Sequence, residues 1–151
     1  MDVHARLVTG AFDATAELAA MDGVDAGAVA SVVGSARGTR SDGASVLSLF
    51  LDHHPRLTPQ SLEEIAHAAA RRFELLAVRV VHRCGLILPG EAIVFVGAAS
   101  THRRAAIEAV DYLMDRLKTD AVLWKREDAV DGSRWIEPTD ADCADRARWG
   151  D

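Results

Sequence analysis

Of the 17 lysines and arginines in this chain only Lys118 and Lys125 are lysines, and they stand seven residues apart in one basic stretch. Where arginine is the default cation, a retained lysine points to chemistry that guanidinium cannot do. An ammonium gives up its proton when burial or neighbouring charge depresses its pKa, and the free amine acts as nucleophile or acid–base group; guanidinium stays charged. The stretch opens with His102-Arg103-Arg104 and closes with Trp124-Lys125-Arg126-Glu127. Spacing alone leaves a second reading open, a solvated helix face carrying ordinary surface lysines.

His102 and Arg103 fall at the predicted start of a helix, directly after an apolar strand. Free backbone N–H groups, the positive end of the helix dipole and a guanidinium fork together suit a phosphate, although exposed helix starts also carry solvated arginines. No Gly-rich Walker pattern accompanies them, which argues against a nucleoside triphosphate. Lys118 ends the same helix and Lys125 lies in the next strand, so a short connection allows both amines to converge on one pocket. Arg116 and Arg126 nearby would favour amine deprotonation by like-charge repulsion. Trp124, Trp135 and Met114 are candidate walls for a flat heterocycle, with ordinary core packing as the alternative for each. His53-His54 has no partners at zinc-site spacing and His82 stands alone, so these histidines read as structural or surface groups.

The elements that must position these groups follow from periodicity. Val3–Thr9 reads as a strand, Asp13–Met21 as a short helix and Ala28–Val33 as a β-branched strand. Gly34 to Ala44 is Gly/Ser/Arg-rich and reads as a mobile loop carrying Arg37 and Arg40. After the strand Val46–Leu51, Thr58-Pro59 predicts a helix start with a hydroxyl N-cap and proline in the first turn, and the stripe Leu62, Ile65, Ala66, Ala69, Phe73 buries one face. Ala77–Val81 and Ala92–Ala99 are strands around a Pro89-Gly90 turn. The helix of about Thr101–Lys118 carries the apolar stripe Ala106, Val110, Leu113, Met114, Leu117. Val122–Arg126 and Ser133–Glu137 predict a hairpin around Asp131-Gly132, and a polar tail from about 138 to 151 predicts a short helix. Strands and helices alternate irregularly, which favours one α+β domain over residues 1–151 rather than a doubly wound parallel sheet.

Composition bounds the partners. The 151 residues are 49% hydrophobic, enough for a sizeable single core. A net charge of −6 argues against general nucleic-acid binding, so an anionic ligand should be small and held locally. No apolar run approaches a membrane span and Met1-Asp2-Val3-His4 lacks a signal-peptide pattern. Cys84 and Cys143 are far apart with no C-x-x-C, which fits a reducing cytoplasmic setting and makes the chain a poor sulfur carrier itself.

The run from Val80 to Val96, with His82-Arg83-Cys84-Gly85 and Gly90-Glu91 inside it, resembles the "HRxGxLxxGExxVxV" segment of the molybdopterin synthase catalytic (large) subunit family. Ser100-Thr101-His102-Arg103, Asp115-Arg116-Leu117-Lys118 and Trp124-Lys125-Arg126-Glu127 are similar to its "SxHR…DxLKxxxPxWKxE" signature. Gly34-Ser35-Ala36-Arg37 resembles "GxxR", and Leu51-Asp52-His53-His54-Pro55 resembles "LEHYP". The resemblance runs from about Val3 to Trp149. It implies an α/β hammerhead-type domain with an additional antiparallel β-sheet. It also implies sulfur transfer to cyclic pyranopterin monophosphate, giving the dithiolene of molybdopterin, with no permanently bound cofactor. The sulfur would arrive as the C-terminal Gly-Gly thiocarboxylate of a small ubiquitin-like sulfur-carrier subunit, in a heterotetramer built on a homodimer. Lys118 and Lys125 would be the catalytic lysines. Arg37, His102 and Arg103 would bind the substrate, with Arg134 reaching across the homodimer.

Departures are His54 for the usual Tyr, Arg56-Leu57 for Gly-Met, Val122 for the Pro before Trp-Lys, Asp120 for a neutral or basic residue, and Val32 for an aromatic. They touch the pocket wall and the small-subunit interface and leave every implied catalytic group in place. Two rival readings belong to other classes. A catalytically silent paralogue would bind the ubiquitin-like protein without needing both lysines and His102-Arg103. An unrelated phospho-ligand enzyme would use Lys118 for imine chemistry, detectable by borohydride trapping.

Overall fold

Strands and helices follow one another in an uneven order, as the sequence patterns predict. The computed structural model describes residues 1–150. It holds β1 (Asp2–Val8), α1 (Ala14–Ala19), β2 (Ala28–Ser35), β3 (Val46–His53), α2 (Leu57–Arg72), β4 (Ala77–Arg83) and β5 (Gly85–Ile87). These are followed by β6 (Ala92–Ser100), α3 (Arg103–Thr119), β7 (Leu123–Ala129), β8 (Gly132–Ile136) and α4 (Asp140–Ala147). One mixed sheet has the order β1-β4-β6-β2, with β1 parallel to β4 and the other pairs antiparallel. The second sheet, β5-β3-β7-β8, is antiparallel throughout. The architecture is α+β with an additional antiparallel sheet.

Central strand β6 is an almost continuous apolar run, and β4 is buried along nearly its whole length although it carries Arg79, His82 and Arg83, because both faces of these strands are covered. On one face lie α2 and α3, whose stripes bring Leu62, Ile65, Ala69, Val110 and Leu113 onto Val78, Val80, Val96 and Ala98. Each fully buried Leu or Ile in that layer contributes about 1.5–3 kcal/mol. The opposite face takes α1 and the turn after it: Met21 of that turn packs on Ala77 and Ala99, and buried Glu17 of α1 joins Arg6 of β1 to Arg79 of β4. Edge strand β2 alternates, with Val32 inward and Val29 and Val33 outward. A second apolar cluster of Val46, Leu49, Leu51, Cys84 and Ile87 binds the antiparallel sheet to the end of the mixed one.

Four local expectations are corrected. Thr58 is not the N-cap of α2: the helix starts at Leu57, and the backbone N–H groups of Arg56 and Leu57 donate to His54 Nδ1 at 3.2 and 3.0 Å. Thr58, wholly buried, instead accepts from the His54 N–H and donates to the Val122 carbonyl at 2.5 Å. The stretch after β2 is not free: Val46 N–H donates to the Gly38 carbonyl, and Arg40 pairs with Asp42 and Asp131. The final hairpin is tighter than expected, because Glu127, Asp128 and Ala129 pair with Arg134, Ser133 and Gly132 and leave only Val130-Asp131 in the turn. Gly132, at φ 129, supplies backbone that other residues rarely adopt. Three-residue β5 escaped the sequence reading; Gly85, at φ 86, turns the chain from β4 directly into it.

Candidate active site

Lys118 sits in the last turn of α3 and Lys125 in β7, and both line one cavity of about 560 Å³ where the two sheets meet. The connection between them is held from below. Thr58 Oγ1 donates to the Val122 carbonyl, and the Val122 N–H donates to Ser61 Oγ at 3.1 Å, so two buried hydroxyls satisfy both backbone groups of one linker residue. Arg37, exposed just beyond β2, lines the same cavity. Its floor includes Gly34, Ser35, Ile93 and Val94, where the β2–β6 register slips by one residue. Such bulges bend a strand and open space beside it.

Burial holds the Lys125 amine below the ordinary lysine range, and the Lys118 charge pushes it the same way; Glu127 and Asp142 oppose the shift. The repulsion therefore comes from Lys118, not from Arg116 and Arg126 as the sequence suggested. Arg116 is paired with Asp120 and Tyr112, and Arg126 with Asp128 at 2.9 Å. Of the candidate walls, Trp124 and Met114 line the cavity. Trp135 does not: it lies exposed on the outer face of β8, with the Arg126 guanidinium 5.8 Å from its ring centre. Arg134 is also outside the cavity, its Nη2 3.3 Å from Glu127.

His102 and Arg103 lie at the opposite end of α3. His102 is the N-cap position without a side-chain cap, and no acidic residue occupies the first turn, so the helix presents its positive end unopposed. They line a separate depression of about 450 Å³ with Gly27, Thr101 and Ile107. A Cβ at Gly27 would run into the Thr101 carbonyl, which keeps this rim glycine. Fifteen residues of helix separate Arg103 from Lys118, a distance of about 22 Å at the α-helical rise. Within one chain His102 and Arg103 do not share a pocket with the lysines, whereas Arg37 does.

Two groups in the lysine cavity escaped the sequence reading. Asp142, from the tail helix, reaches the cavity rim, and its carboxyl lies below the usual range because the Thr139 backbone N–H donates to it. The tail is anchored there by Trp149, packed edge-on against Phe73 and Tyr112, and by Arg146 paired with Asp120. His82, read as an isolated histidine, is 7% exposed and also lines the cavity. It follows Val78 and Val80 at strand spacing on the helix-covered face of β4, a period visible in the sequence once the strand is extended to Arg83. Burial lowers its pKa to about 4.

A family model described as MoaE protein matches residues 7–120. A molybdopterin synthase catalytic subunit of Caulobacter vibrioides is 49% identical over 125 residues, covering 83% of this chain and 81% of that protein. The molybdopterin synthase catalytic subunit of Pseudomonas aeruginosa is 44% identical over 146 residues, 95% of this chain and 97% of that one. The solved structure of a molybdopterin biosynthesis MoaE protein from Burkholderia ambifaria matches with a TM-score of 0.82 at 38% identity, covering 100% of this chain and 99% of the other.

Proposed function

The chain belongs to the MoaE protein family, and from that membership we propose that it is the catalytic subunit of a molybdopterin synthase. The reaction is sulfur transfer to cyclic pyranopterin monophosphate, giving molybdopterin. The pterin is substrate and product, and the chain keeps no resident cofactor. The sulfur comes from the C-terminal thiocarboxylate of a small ubiquitin-like subunit whose Gly-Gly tail enters the lysine cavity; glycine passes where a Cβ would clash. Neither cysteine competes as donor: Cys84 is buried with its thiol pushed up by burial, and Cys143 does not line the cavity.

The observation that carries this reading is the convergence of Lys118, Lys125 and Arg37 on one cavity, with the Lys125 amine loosened by burial and by its neighbour. Lys125, as a free amine, moves protons to and from the reacting pterin side chain. Lys118 supplies the adjacent charge and a second titratable amine. Each sulfur displaces an oxygen substituent from a pterin side-chain carbon, the oxygen leaving as water or staying on the phosphate as its ring opens. The carbon–sulfur bond to the carrier then breaks and water completes the carrier carboxylate. Two carriers are consumed for one dithiolene.

Arg37 holds the substrate from within the chain. His102 and Arg103, about 22 Å from Lys118 along α3, reach the lysine cavity from a second copy, which makes the working unit a homodimer flanked by two small subunits in the cytoplasm. Arg134, exposed and singly paired, contributes across that boundary. Mixing the chain with a thiocarboxylated small subunit and the pterin, followed by mass spectrometry, tests the proposal. The expected product carries two added sulfurs and the spent partner ends in carboxylate; an unchanged pterin sinks the reading.

A further inference from the structure

Resting on the function just proposed, we infer that His82 is a substrate-binding residue: its Nε2 accepts a hydrogen bond from a ring N–H or amino group of the pterin at the floor of the lysine cavity. The tautomer follows from geometry. His82 Nδ1 lies 2.9 Å from the Arg83 carbonyl oxygen, which only accepts, so Nδ1 carries the proton and Nε2 carries the lone pair. Nε2 has no protein partner among the described residues, yet it is not one of the sealed, unpaired buried atoms; the cavity that His82 lines is the space left for its partner. A buried acceptor without a partner is costly and selects for a ligand that brings a donor.

The chemistry of the other lining groups fixes which part of a ligand belongs there. Arg37, Lys118 and Lys125 present donors and positive charge, which suit phosphate and the thiocarboxylate. His82 stays neutral near pH 7, with its pKa at about 4, and its lone pair repels phosphate oxygens, which only accept. The heterocyclic end, rich in N–H donors, is the part that fits. Val94, the strand neighbour of His82, and Ile93 and Met114 elsewhere in the cavity supply apolar walls.

Two substitutions separate this role from packing. His82→Asn keeps a donor to the Arg83 carbonyl and offers nothing at the Nε2 position, whereas His82→Gln returns an amide oxygen near it. The Asn variant is expected to raise KM for the pterin roughly tenfold, as one lost hydrogen bond would, with kcat nearly unchanged. The Gln variant should recover most of that loss. A folded Asn variant with wild-type KM, or equal impairment in both variants, overturns the assignment.

Nitrogen-15 NMR on the unsubstituted protein covers the case in which neither variant folds. The His82 Nε2 resonance should be that of an unprotonated nitrogen and should shift on adding cyclic pyranopterin monophosphate; an unmoved resonance at saturation also overturns the assignment. A wild-type protein that binds the pterin with this shift and forms no dithiolene retains the His82 contact and loses the sulfur-transfer reading.

Discussion

A lysine differs from an arginine at this site above all in its capacity to give up a proton, which burial makes easier at Lys125. Lys125→Arg keeps the charge and removes that capacity, so turnover should fall at least about 100-fold, the usual scale for loss of an acid–base group. The fold should survive, because Lys125 is only half buried. Lys118→Arg should fall as far if its amine also titrates in the cycle, and less if it acts by charge alone. Single-turnover sulfur transfer, read with a melting curve, checks both. Near-normal rates in the Lys125→Arg variant would remove the proton-transfer role. The sign of the pH effect is set by the same residue. The neutral amine is the active form, so the rate rises with pH, and the rising limb lies below the ordinary lysine range. Asp142 pulls the Lys125 pKa upward, so Asp142→Asn should move that limb to lower pH. A limb that stays in place, or moves up, contradicts the identification of the titrating group.

Whole elements position these residues, and their legibility in the sequence varied with the range of the contacts that define them. The helix α3 was readable because Ala106, Val110, Leu113 and Leu117 repeat at helical spacing, and all four are buried. The start of α2 was misread for a chemical reason. The usual capping side chains are Ser, Thr, Asp and Asn, whereas here an imidazole nitrogen of His54 takes the two N–H groups and frees Thr58 for another task. That task depends on Val122, 64 positions away, and no local pattern signals it. Asp142 was missed for the same reason, since the tail reaches the cavity through Trp149, Arg146 and Arg148 docking on distant helices. Thr58→Val tests the linker support. It keeps shape but leaves the His54 N–H and the Val122 carbonyl unpaired in the interior, which should cost about 1–3 kcal/mol. It should also lower kcat more than it raises KM, because the strand bearing Lys125 shifts against Lys118. Urea unfolding and steady-state kinetics measure the two effects; an unchanged stability would show that Thr58 does not hold this connection.

At the scale of the whole molecule, the decisive fact is the length of α3. The residue types for an anion site and for amine chemistry were both legible in the sequence, and so was their order along one helix. What the sequence did not reveal is that a rigid rod of 17 residues keeps them at opposite ends, in two separate depressions. The symmetric dimer proposed above would resolve this if its two-fold axis crosses α3, setting the start of one helix near the end of its mate and building two equal composite sites. Light scattering on the isolated chain should accordingly give a dimer. The sharper test is complementation between two inactive proteins. Lys118→Ala lacks the amine but keeps Arg103, and Arg103→Ala lacks the guanidinium but keeps Lys118. Each alone should be nearly inactive, the first in chemistry and the second mainly in substrate binding. After joint unfolding and refolding, random pairing makes about half the dimers mixed, and each mixed dimer carries one intact site and one doubly defective site. Activity should therefore return to about a quarter of wild type. If Arg103 served the cavity of its own chain, no pairing would create an intact site with these two variants, since every chain would lack one of the groups. A mixture that stays as inactive as its parents, while chromatography shows mixed dimers present, would refute the composite site.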